Sequence, residues 1–116
     1  MSDKLTKIEI IGRSSKFEEL KEALNEIGVT GMTVTQVLGS GMQKGKTESY
    51  RGVPFTVDLL PKVKVEVVVC EVPVDEVIKV ARRVMNTDSI GDGKIFVYEI
   101  ANAIRIRTGE EGPNAI

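Results

Sequence analysis

The chain has 116 residues, which is the size of one domain, and its 41% hydrophobic and 28% charged residues are typical of a globular protein. Sixteen Lys and Arg against 17 Asp and Glu leave a net charge of -1, which argues against a nucleic-acid-binding protein, since such a protein needs excess cations to neutralise phosphates. The sequence contains no histidine, so Ser-His and Cys-His catalysis and histidine-ligated metal sites are excluded.

The cysteine content and the apolar runs indicate the compartment. Cys70 is the single cysteine and ends an apolar run, so we expect a buried structural thiol in a reducing compartment. Residues 1–12 mix charges with short apolar stretches, unlike a secretory signal. No apolar run approaches the roughly 18 residues of a membrane span. We therefore expect a cytoplasmic protein.

The first half of the chain predicts a strand, a helix and a second strand. Residues 7–11 are the first strand. Ser15 and Glu18 have the spacing of a capping box, and Gly28 ends the helix that follows. The apolar positions of this helix recur at helical spacing: Phe17, Leu20, Ala23, Leu24 and Ile27. Residues 33–37 alternate and are rich in β-formers, which predicts the second strand.

The second half predicts a strand, a helix and a last strand. In residues 62–70, Val63, Val65, Val67 and Val69 face one way, and Lys62, Lys64 and Glu66 face the other. Pro73 suits the first position of a second helix, whose apolar stripe is Val74, Val77, Ile78, Ala81, Val84 and Met85. Residues 95–100 are the fourth strand.

The order β-α-β-β-α-β predicts an α+β, ferredoxin-like fold of the split βαβ type. Two helices would cover one face of a four-stranded antiparallel sheet. Much of the other face looks apolar, which favours an oligomer. The chain is expected to form a single domain over residues 1–116.

Two connecting segments stand out. Residues 39–58 join strands two and three, where a hairpin needs only two to five residues. A loop of this length is usually functional or disordered, and its glycines, cations and aromatics favour function. Residues 87–94, here called the 87–94 loop, join the second helix to the fourth strand and carry Gly91 and Gly93 around Asp92.

The 87–94 loop is a candidate phosphate site. Residues 91–94 supply glycine-exposed amides and the cation Lys94. Arg105 and Arg107 would share one face of an extended segment, and three such cations could hold a triphosphate at about micromolar affinity. Taken alone, an ordinary turn is the simpler explanation of Gly-Asp-Gly. Residues 41–47 are one residue short of a P-loop and lie in a hairpin context, so a nucleotide site would need another design.

Several motifs in register, from about Lys7 to Glu110, resemble the PII nitrogen-signalling family. They are Gly31-Met32-Thr33-Val34-Thr35, Gln43-Lys44-Gly45, Tyr50-Arg51-Gly52, Leu60-Pro61-Lys62-Val63-Lys64, Gly91-Asp92-Gly93-Lys94-Ile95-Phe96 and Arg105-Ile106-Arg107-Thr108-Gly109-Glu110. The resemblance implies a homotrimer with ATP or ADP in each of three clefts between subunits, and 2-oxoglutarate bound beside Mg-ATP. It also implies a T-loop at about 39–58, a B-loop at about 87–94 and a C-loop at about 102–109.

The resemblance carries roles to matching residues. Those implied for nucleotide binding are Thr33, Gly41, Met42, Gln43, Val68, Gly91, Asp92, Gly93 and Lys94, with Arg105 and Arg107 from the neighbouring subunit. Thr33 and Val68 would line the adenine. Gln43 would ligate Mg²⁺, a hard cation that accepts an amide oxygen. Those implied for 2-oxoglutarate are Gln43, Lys44, Gly45, Lys62 and Gly91, with Lys62 pairing a carboxylate.

The resemblance also implies partners. An ammonium channel would be bound through Tyr50 and Arg51, with Arg51 inserted into the channel's cytosolic mouth. The protein would then lie peripherally at the inner face of the membrane. Other nitrogen-metabolism enzymes or regulators are further partners that the family suggests, and nucleic acid is not expected.

The sequence departs from the family pattern in two ways. Phe55 stands where many relatives carry a nucleotidylated tyrosine, and Val53 stands where some carry a phosphorylated serine. Neither side chain has a hydroxyl, so we expect no covalent switching at these positions. Met42 replaces a frequent arginine, Asp88-Ser89 a common Gly-Lys, and Arg13-Ser14-Ser15 a common Lys-Pro-Phe. The changes at 42, 88 and 89 remove cations or add an anion, which should alter nucleotide affinity or discrimination between ATP and ADP.

The leading hypothesis is a regulator of nitrogen and energy status that responds directly to its ligands. The alternative is a PII-like sensor retuned to another adenine nucleotide or a cyclic dinucleotide, and the retained Gln43 and Lys62 argue against it. An enzyme is disfavoured because no clear general base is present. An RNA binder is disfavoured by the net charge and by the aromatic content of three Phe, two Tyr and no Trp.

Overall fold

The computed structural model describes residues 4–50 and 53–116, with side chains described for 4–40 and 59–116. The strands are β1 (Leu5–Gly12), β2 (Thr33–Tyr50), β3 (Val53–Val69) and β4 (Gly93–Ile100), and the helices are α1 (Phe17–Glu26) and α2 (Val74–Met85). The sheet order is β2-β3-β1-β4, and each neighbouring pair is antiparallel. The predicted ferredoxin-like architecture is confirmed. Neither of the two helices that the described part of the chain forms is long and apolar enough to cross a membrane.

The core lies between the two helices and one face of the sheet. The largest side chains that are almost fully buried come from β1, β3 and both helices: Ile8, Ile10, Leu20, Leu24, Val65, Val67 and Val77. Burying each such side chain stabilises the fold by about 1.5–3 kcal/mol. The predicted valine face of β3 is confirmed. On α2, Val80 is buried as well, and it was missing from the predicted stripe.

The opposite, open face of the sheet is charged at its centre, so the expectation of a largely apolar face is wrong there. Lys7 Nζ lies 3.1 Å from Glu66 Oε2, and Lys64 Nζ lies 3.9 Å from Glu66 Oε1. Tyr98 donates its hydroxyl to Glu9 over 3.3 Å, and Lys7 lies 4.6 Å from the centre of the Tyr98 ring. The hydrogen bond to Glu66 raises the pKa of Lys7. Alternation in β1 and β3 places charges opposite the core, where they pair with each other.

The predicted helix start at Ser15 is wrong. Lys16 donates its N–H to the Arg13 carbonyl over 3.1 Å, which closes residues 14–16 into a 3-10 turn before α1 begins at Phe17. The residue at the N-cap of α1 is Lys16, and its side chain makes no capping hydrogen bond. Its end is confirmed: Gly28 has φ +94° and donates its N–H to the Asn25 carbonyl over 3.0 Å.

The start of α2 and the burial of Cys70 also differ from prediction. Pro73 precedes the first helical residue, with extended backbone (φ -61°, ψ 136°), and its carbonyl accepts the N–H of Val77 over 3.3 Å. Cys70 is half-buried, not buried. Strand alternation accounts for this, because it places Cys70 on the face opposite the buried Val69.

The hairpin between β2 and β3 is the main difference in strand bounds. Residues 39–50 and 53–58, expected within a loop, continue as paired strands from Gly39 opposite Leu60 to Tyr50 opposite Val53. A register shift lies between Lys44 and Ser49. Antiparallel pairing gives these two segments hydrogen-bond partners along one edge of each strand, and residues such as Val57 and Thr56 favour strands.

Candidate functional site

The pairing of β4 with β1 fixes the end of the 87–94 loop. Gly93 lies opposite Gly12 at the end of β1. A Cβ at Gly93 would lie 1.8 Å from the Ile11 carbonyl oxygen, and Gly93 has φ +111°. Both the close approach of the strands and the backbone angle therefore require glycine here. The loop is thus held directly against the end of β1.

A cavity of about 420 Å³ lies beside this loop and collects cations from three segments. Arg13 follows β1, Lys62 comes from β3 and Lys94 from β4. The described residues that complete its lining are Ile11, Gly39, Ser40, Leu60, Ile90, Gly91, Gly93 and Phe96, none of them acidic. Lys62 Nζ donates to the Gly91 carbonyl over 2.7 Å. Concentrated positive charge beside glycine backbone is suited to a multiply charged anion.

The carboxylate of Asp92 is used within the loop. It accepts the N–H of Thr87 over 2.7 Å, the hydroxyl of Thr87, the N–H of Ser89 over 3.3 Å and Nε of Arg13 over 3.1 Å. The hydrogen bonds from Thr87, and then those from Arg13 and Ser89, hold the pKa of Asp92 far below its ordinary value. The N–H of Asp92 donates to the Ser89 carbonyl over 3.3 Å. Asp92 therefore shapes the loop, and its direct contact with phosphate stays a prediction.

Asp88 does not line the cavity that contains Lys62. It lies with Arg82, Asn86 and Asp92 around a second cavity of about 540 Å³ on the side of α2. Its φ of +58° is in the left-handed region, and its N–H donates to Asn86 Oδ1 over 2.8 Å. A glycine is the residue that this backbone favours, and aspartate is among the few that tolerate it. The expectation that Asp88 adds an anion near the nucleotide stays a prediction, and within one subunit Asp88 lies on the α2 side of the loop.

Arg105 and Arg107 do not lie on an extended segment. The N–H of Gly109 donates to the Arg105 carbonyl over 2.8 Å, and the N–H of Arg105 donates to the Glu110 carbonyl over 2.8 Å. This turn overrides the alternation assumed from the sequence. Within one subunit neither arginine lines the Lys62 cavity. Ile106 between them is fully exposed, and the supply of both arginines from a neighbouring subunit stays a prediction.

The residues predicted at the adenine lie farther along the open face. Thr33 is opposite Glu66 in the β2–β3 register, and Val68 follows two residues later on the same face of β3. Val68 is six residues from Lys62, which places it about 20 Å along the strand. Within one subunit, a ligand that contacted both ends would have to lie along β3.

Several predicted residues are not described beyond their backbone. Arg51 lies outside the described residues altogether, and these are described in their backbone alone: Gly41, Met42, Gln43, Lys44, Gly45, Tyr50, Val53 and Phe55. Among the described residues, no group of three or more Cys, Asp and Glu side chains could hold a metal ion. The predicted roles of Gln43 in Mg²⁺ binding and of Arg51 in partner binding therefore stay predictions.

Arg13 is the functional candidate that sequence reasoning missed. It was noted as a departure from the family pattern, yet it lines the cavity and donates to the loop through Nε to Asp92 and through Nη2 to the Ile90 carbonyl over 3.0 Å. The sequence did hold a signal for Arg13. It directly follows β1, and in an antiparallel pair the residue after one strand lies beside the residue before the other, which here is Asp92 before β4.

Comparison with known proteins identifies the family. A family model described as nitrogen regulatory protein P-II matches residues 5–110. The nitrogen regulatory PII-like protein of Bacillus subtilis is 53% identical over the whole of both chains. The nitrogen regulatory protein P-II 1 of Escherichia coli K12 is 53% identical over 97% of this chain and all of its own length.

Solved structures agree with the sequence matches. A structure of Bacillus subtilis GlnK has 53% identity and a TM-score of 0.82, covering 97% of this chain and 99% of its own. A complex of Bacillus subtilis GlnK with ATP has 49% identity and a TM-score of 0.85, covering 100% and 99%. With matches that span nearly every residue, the chain belongs to the nitrogen regulatory protein P-II family.

Proposed function

We propose that the protein is a regulator of nitrogen and energy status that binds ATP or ADP beside the 87–94 loop. One observation carries this proposal: Arg13, Lys62 and Lys94 line the same cavity as the backbone of Gly91 and Gly93. Charge-assisted hydrogen bonds are the strong kind, and a triphosphate offers many acceptors. The similar GlnK structure that holds ATP supports the choice of nucleotide.

A homotrimer completes the proposed site. In it, Arg105 and Arg107 of one subunit reach the phosphates held by the 87–94 loop of the next. Exposed apolar side chains near these arginines support an interface, since Ile104 is 60% and Ile106 is 100% exposed in the single subunit. Thr33 and Val68 line the adenine in this proposal, and Gln43 ligates Mg²⁺.

The second proposed ligand is 2-oxoglutarate, bound beside the nucleotide through Lys62. The ammonium group of Lys62 has three N–H donors, and one of them is engaged by the Gly91 carbonyl. The remaining donors are suited to a carboxylate that enters the same cavity. Gln43, Lys44, Gly45 and Gly91 complete the proposed contacts.

Regulation, not catalysis, is the proposed output. Asp92 is the carboxylate in the 87–94 loop that contacts Arg13, one of the cavity's cations, and its lowered pKa makes it a weak base. We infer that ligand binding biases the shape of residues 39–58, which act as a T-loop on a partner. For a ligand to shift the shape of residues 39–58, it must bind more tightly to the protein in one loop conformation than in the other.

The proposed partner is an ammonium channel at the inner face of the membrane, bound through Tyr50 and Arg51. Arg51→Ala should leave ATP binding intact and weaken channel capture in a pull-down, and unchanged capture would refute the role of Arg51.

Phe55 and Val53 should carry no adduct. Mass spectrometry of protein from nitrogen-rich and nitrogen-starved cells checks this, and a uridylyl or phosphoryl group within residues 39–58 would contradict it.

Calorimetry tests the ligand proposal. ATP is titrated first and 2-oxoglutarate second, each with and without Mg²⁺, and 2-oxoglutarate should bind only when Mg-ATP is present. Lys62→Met should weaken 2-oxoglutarate binding by at least about tenfold, as expected for a lost charge-assisted bond. Lys64→Met is the matched control, because it removes the same charge two residues along the same face.

Three results of that titration would count against the proposal. Wild-type protein that binds ATP but not 2-oxoglutarate would favour a sensor retuned to another adenine nucleotide or a cyclic dinucleotide. Equal losses in Lys62→Met and Lys64→Met would remove the specific role of Lys62. Wild-type protein that binds neither ATP nor, in a separate titration, ADP would overturn the nucleotide site itself.

A further inference from the structure

The register of β1 and β4 determines where Arg13 lies. Gly12 ends β1 and is opposite Gly93, which begins β4. In an antiparallel pair, the residue after Gly12 lies beside the residue before Gly93, which is Asp92. The carbonyl of Arg13 accepts the N–H of Lys16 over 3.1 Å, so its backbone is also fixed by the 3-10 turn. Both constraints hold the Arg13 side chain against the 87–94 loop.

The Arg13 guanidinium contacts the loop on both sides of Gly91. Nε donates to Asp92 Oδ1 over 3.1 Å, and Nη2 donates to the Ile90 carbonyl over 3.0 Å. A trans peptide is planar, so holding the Ile90 carbonyl also fixes the direction of the Gly91 N–H. Glycine at φ +99° has little conformational preference of its own, so these contacts decide how the loop backbone points.

We propose that Arg13 is a positioning residue that holds the 87–94 loop in its ligand-binding shape before a phosphate-bearing ligand arrives. Its effect on affinity rests on the proposed nucleotide binding, whereas its effect on the loop does not. A loop that is already ordered loses less conformational entropy on binding, so the affinity for the ligand is higher.

The geometry requires a guanidinium. Nε and Nη2 lie in one rigid plane and donate to two different residues, the carboxylate of Asp92 and the carbonyl of Ile90. Lysine presents one nitrogen on a flexible stem and cannot reproduce this fork. A direct contact between Arg13 and phosphate would instead depend mainly on charge, and lysine would preserve much of it. The Arg13→Lys variant therefore separates the two roles.

The first test uses the ligand-free protein. Amide hydrogen exchange by NMR at Thr87, Ser89 and Asp92 is compared between wild type, Arg13→Gln and Arg13→Lys. Arg13→Lys should exchange about tenfold faster in the loop, the factor that follows from losing one charge-assisted bond, and Arg13→Gln, which loses the guanidinium and both its contacts, at least as much. Amides of the core strands should keep their wild-type rates. Lys16→Gln is the matched control, since it removes one positive charge nearby, from a residue that pairs with Glu19 and not with the loop. It should match wild type.

The second test is ATP affinity by calorimetry. Arg13→Gln and Arg13→Lys should each weaken binding by about tenfold, and Lys16→Gln should not. Thr87→Val removes a hydroxyl that donates to the same Asp92 oxygen, and it should speed loop exchange in the same way. Unchanged loop amides in Arg13→Gln, or wild-type affinity and exchange in Arg13→Lys, would overturn the positioning role. Wild-type protein that fails to bind ATP would overturn the proposed function instead.

Discussion

Replacing Gly93 by alanine tests how the strands hold the 87–94 loop. The new Cβ would lie 1.8 Å from the Ile11 carbonyl oxygen, so one of the two strands must move by more than an ångström. A left-handed backbone costs alanine about 1–2 kcal/mol. Moving the strands apart disturbs the pairing of Gly93 with Gly12, where each lost hydrogen bond costs about 1 kcal/mol. We expect Gly93→Ala to lower the free energy of unfolding by about 2–3 kcal/mol or more.

Two control variants separate the collision from the backbone strain. Gly109 has φ +74°, and among the described residues of the subunit no atom lies within 4 Å of a Cβ placed there, so Gly109→Ala should show the backbone cost of about 1–2 kcal/mol alone. Gly31 has open space and no positive φ, and its replacement should change stability by less than about 1 kcal/mol. Urea unfolding followed by circular dichroism, at one protein concentration, measures all three. A Gly93→Ala effect no larger than that of Gly109→Ala would refute the reasoning.

Further predictions concern the core, the loop and the C-terminal turn. Leu24→Ala should lower the free energy of unfolding by about 2–5 kcal/mol in the same assay, because Leu24 is fully buried, and a loss below 1 kcal/mol would contradict its place in the core. The pKa of Asp92 is lowered in the folded protein, so its contribution to stability is present above the ordinary value of 3.8 and declines as pH falls through the lowered one. Between pH 4 and 2 the stability of wild type should therefore fall more steeply than that of Asp92→Asn, and parallel curves from acid unfolding would show that Asp92 is not specially stabilised. Arg105→Ala should weaken ATP binding by about tenfold in calorimetry and leave the circular dichroism spectrum unchanged, whereas wild-type affinity would remove Arg105 from the site.

The sequence predicted the parts of the fold that depend on local alternation and helical spacing. The valines of β3 are buried as expected, and so are four members of the predicted α2 stripe, because these side chains face the core: Val77, Ala81, Val84 and Met85. The predicted capping box failed because Ser15 is drawn into a turn by the contact of Lys16 with the Arg13 carbonyl. The arginines at 105 and 107 were assigned to one face from strand spacing, and a five-residue turn closed by Gly109 changed their directions.

The residues that line the site could be predicted from the sequence, but the contacts that hold the 87–94 loop in place could not. Gly91, Gly93, Lys94 and Lys62 were named from the motifs, and they line one cavity. Arg13 was not named, because its role depends on the β1–β4 register, which joins residues 79 positions apart. Likewise, the motif did not show that Asp88 has a left-handed backbone or that it lines the cavity that also includes Arg82.

A crystal structure of this protein grown with Mg-ATP tests the central claim most directly. We predict the triphosphate in the cavity lined by Arg13, Lys62, Gly91 and Lys94, with Arg105 and Arg107 of a neighbouring subunit within hydrogen-bond distance of it. Density for the triphosphate in the cavity beside α2, next to Arg82 and Asn86, would contradict the account.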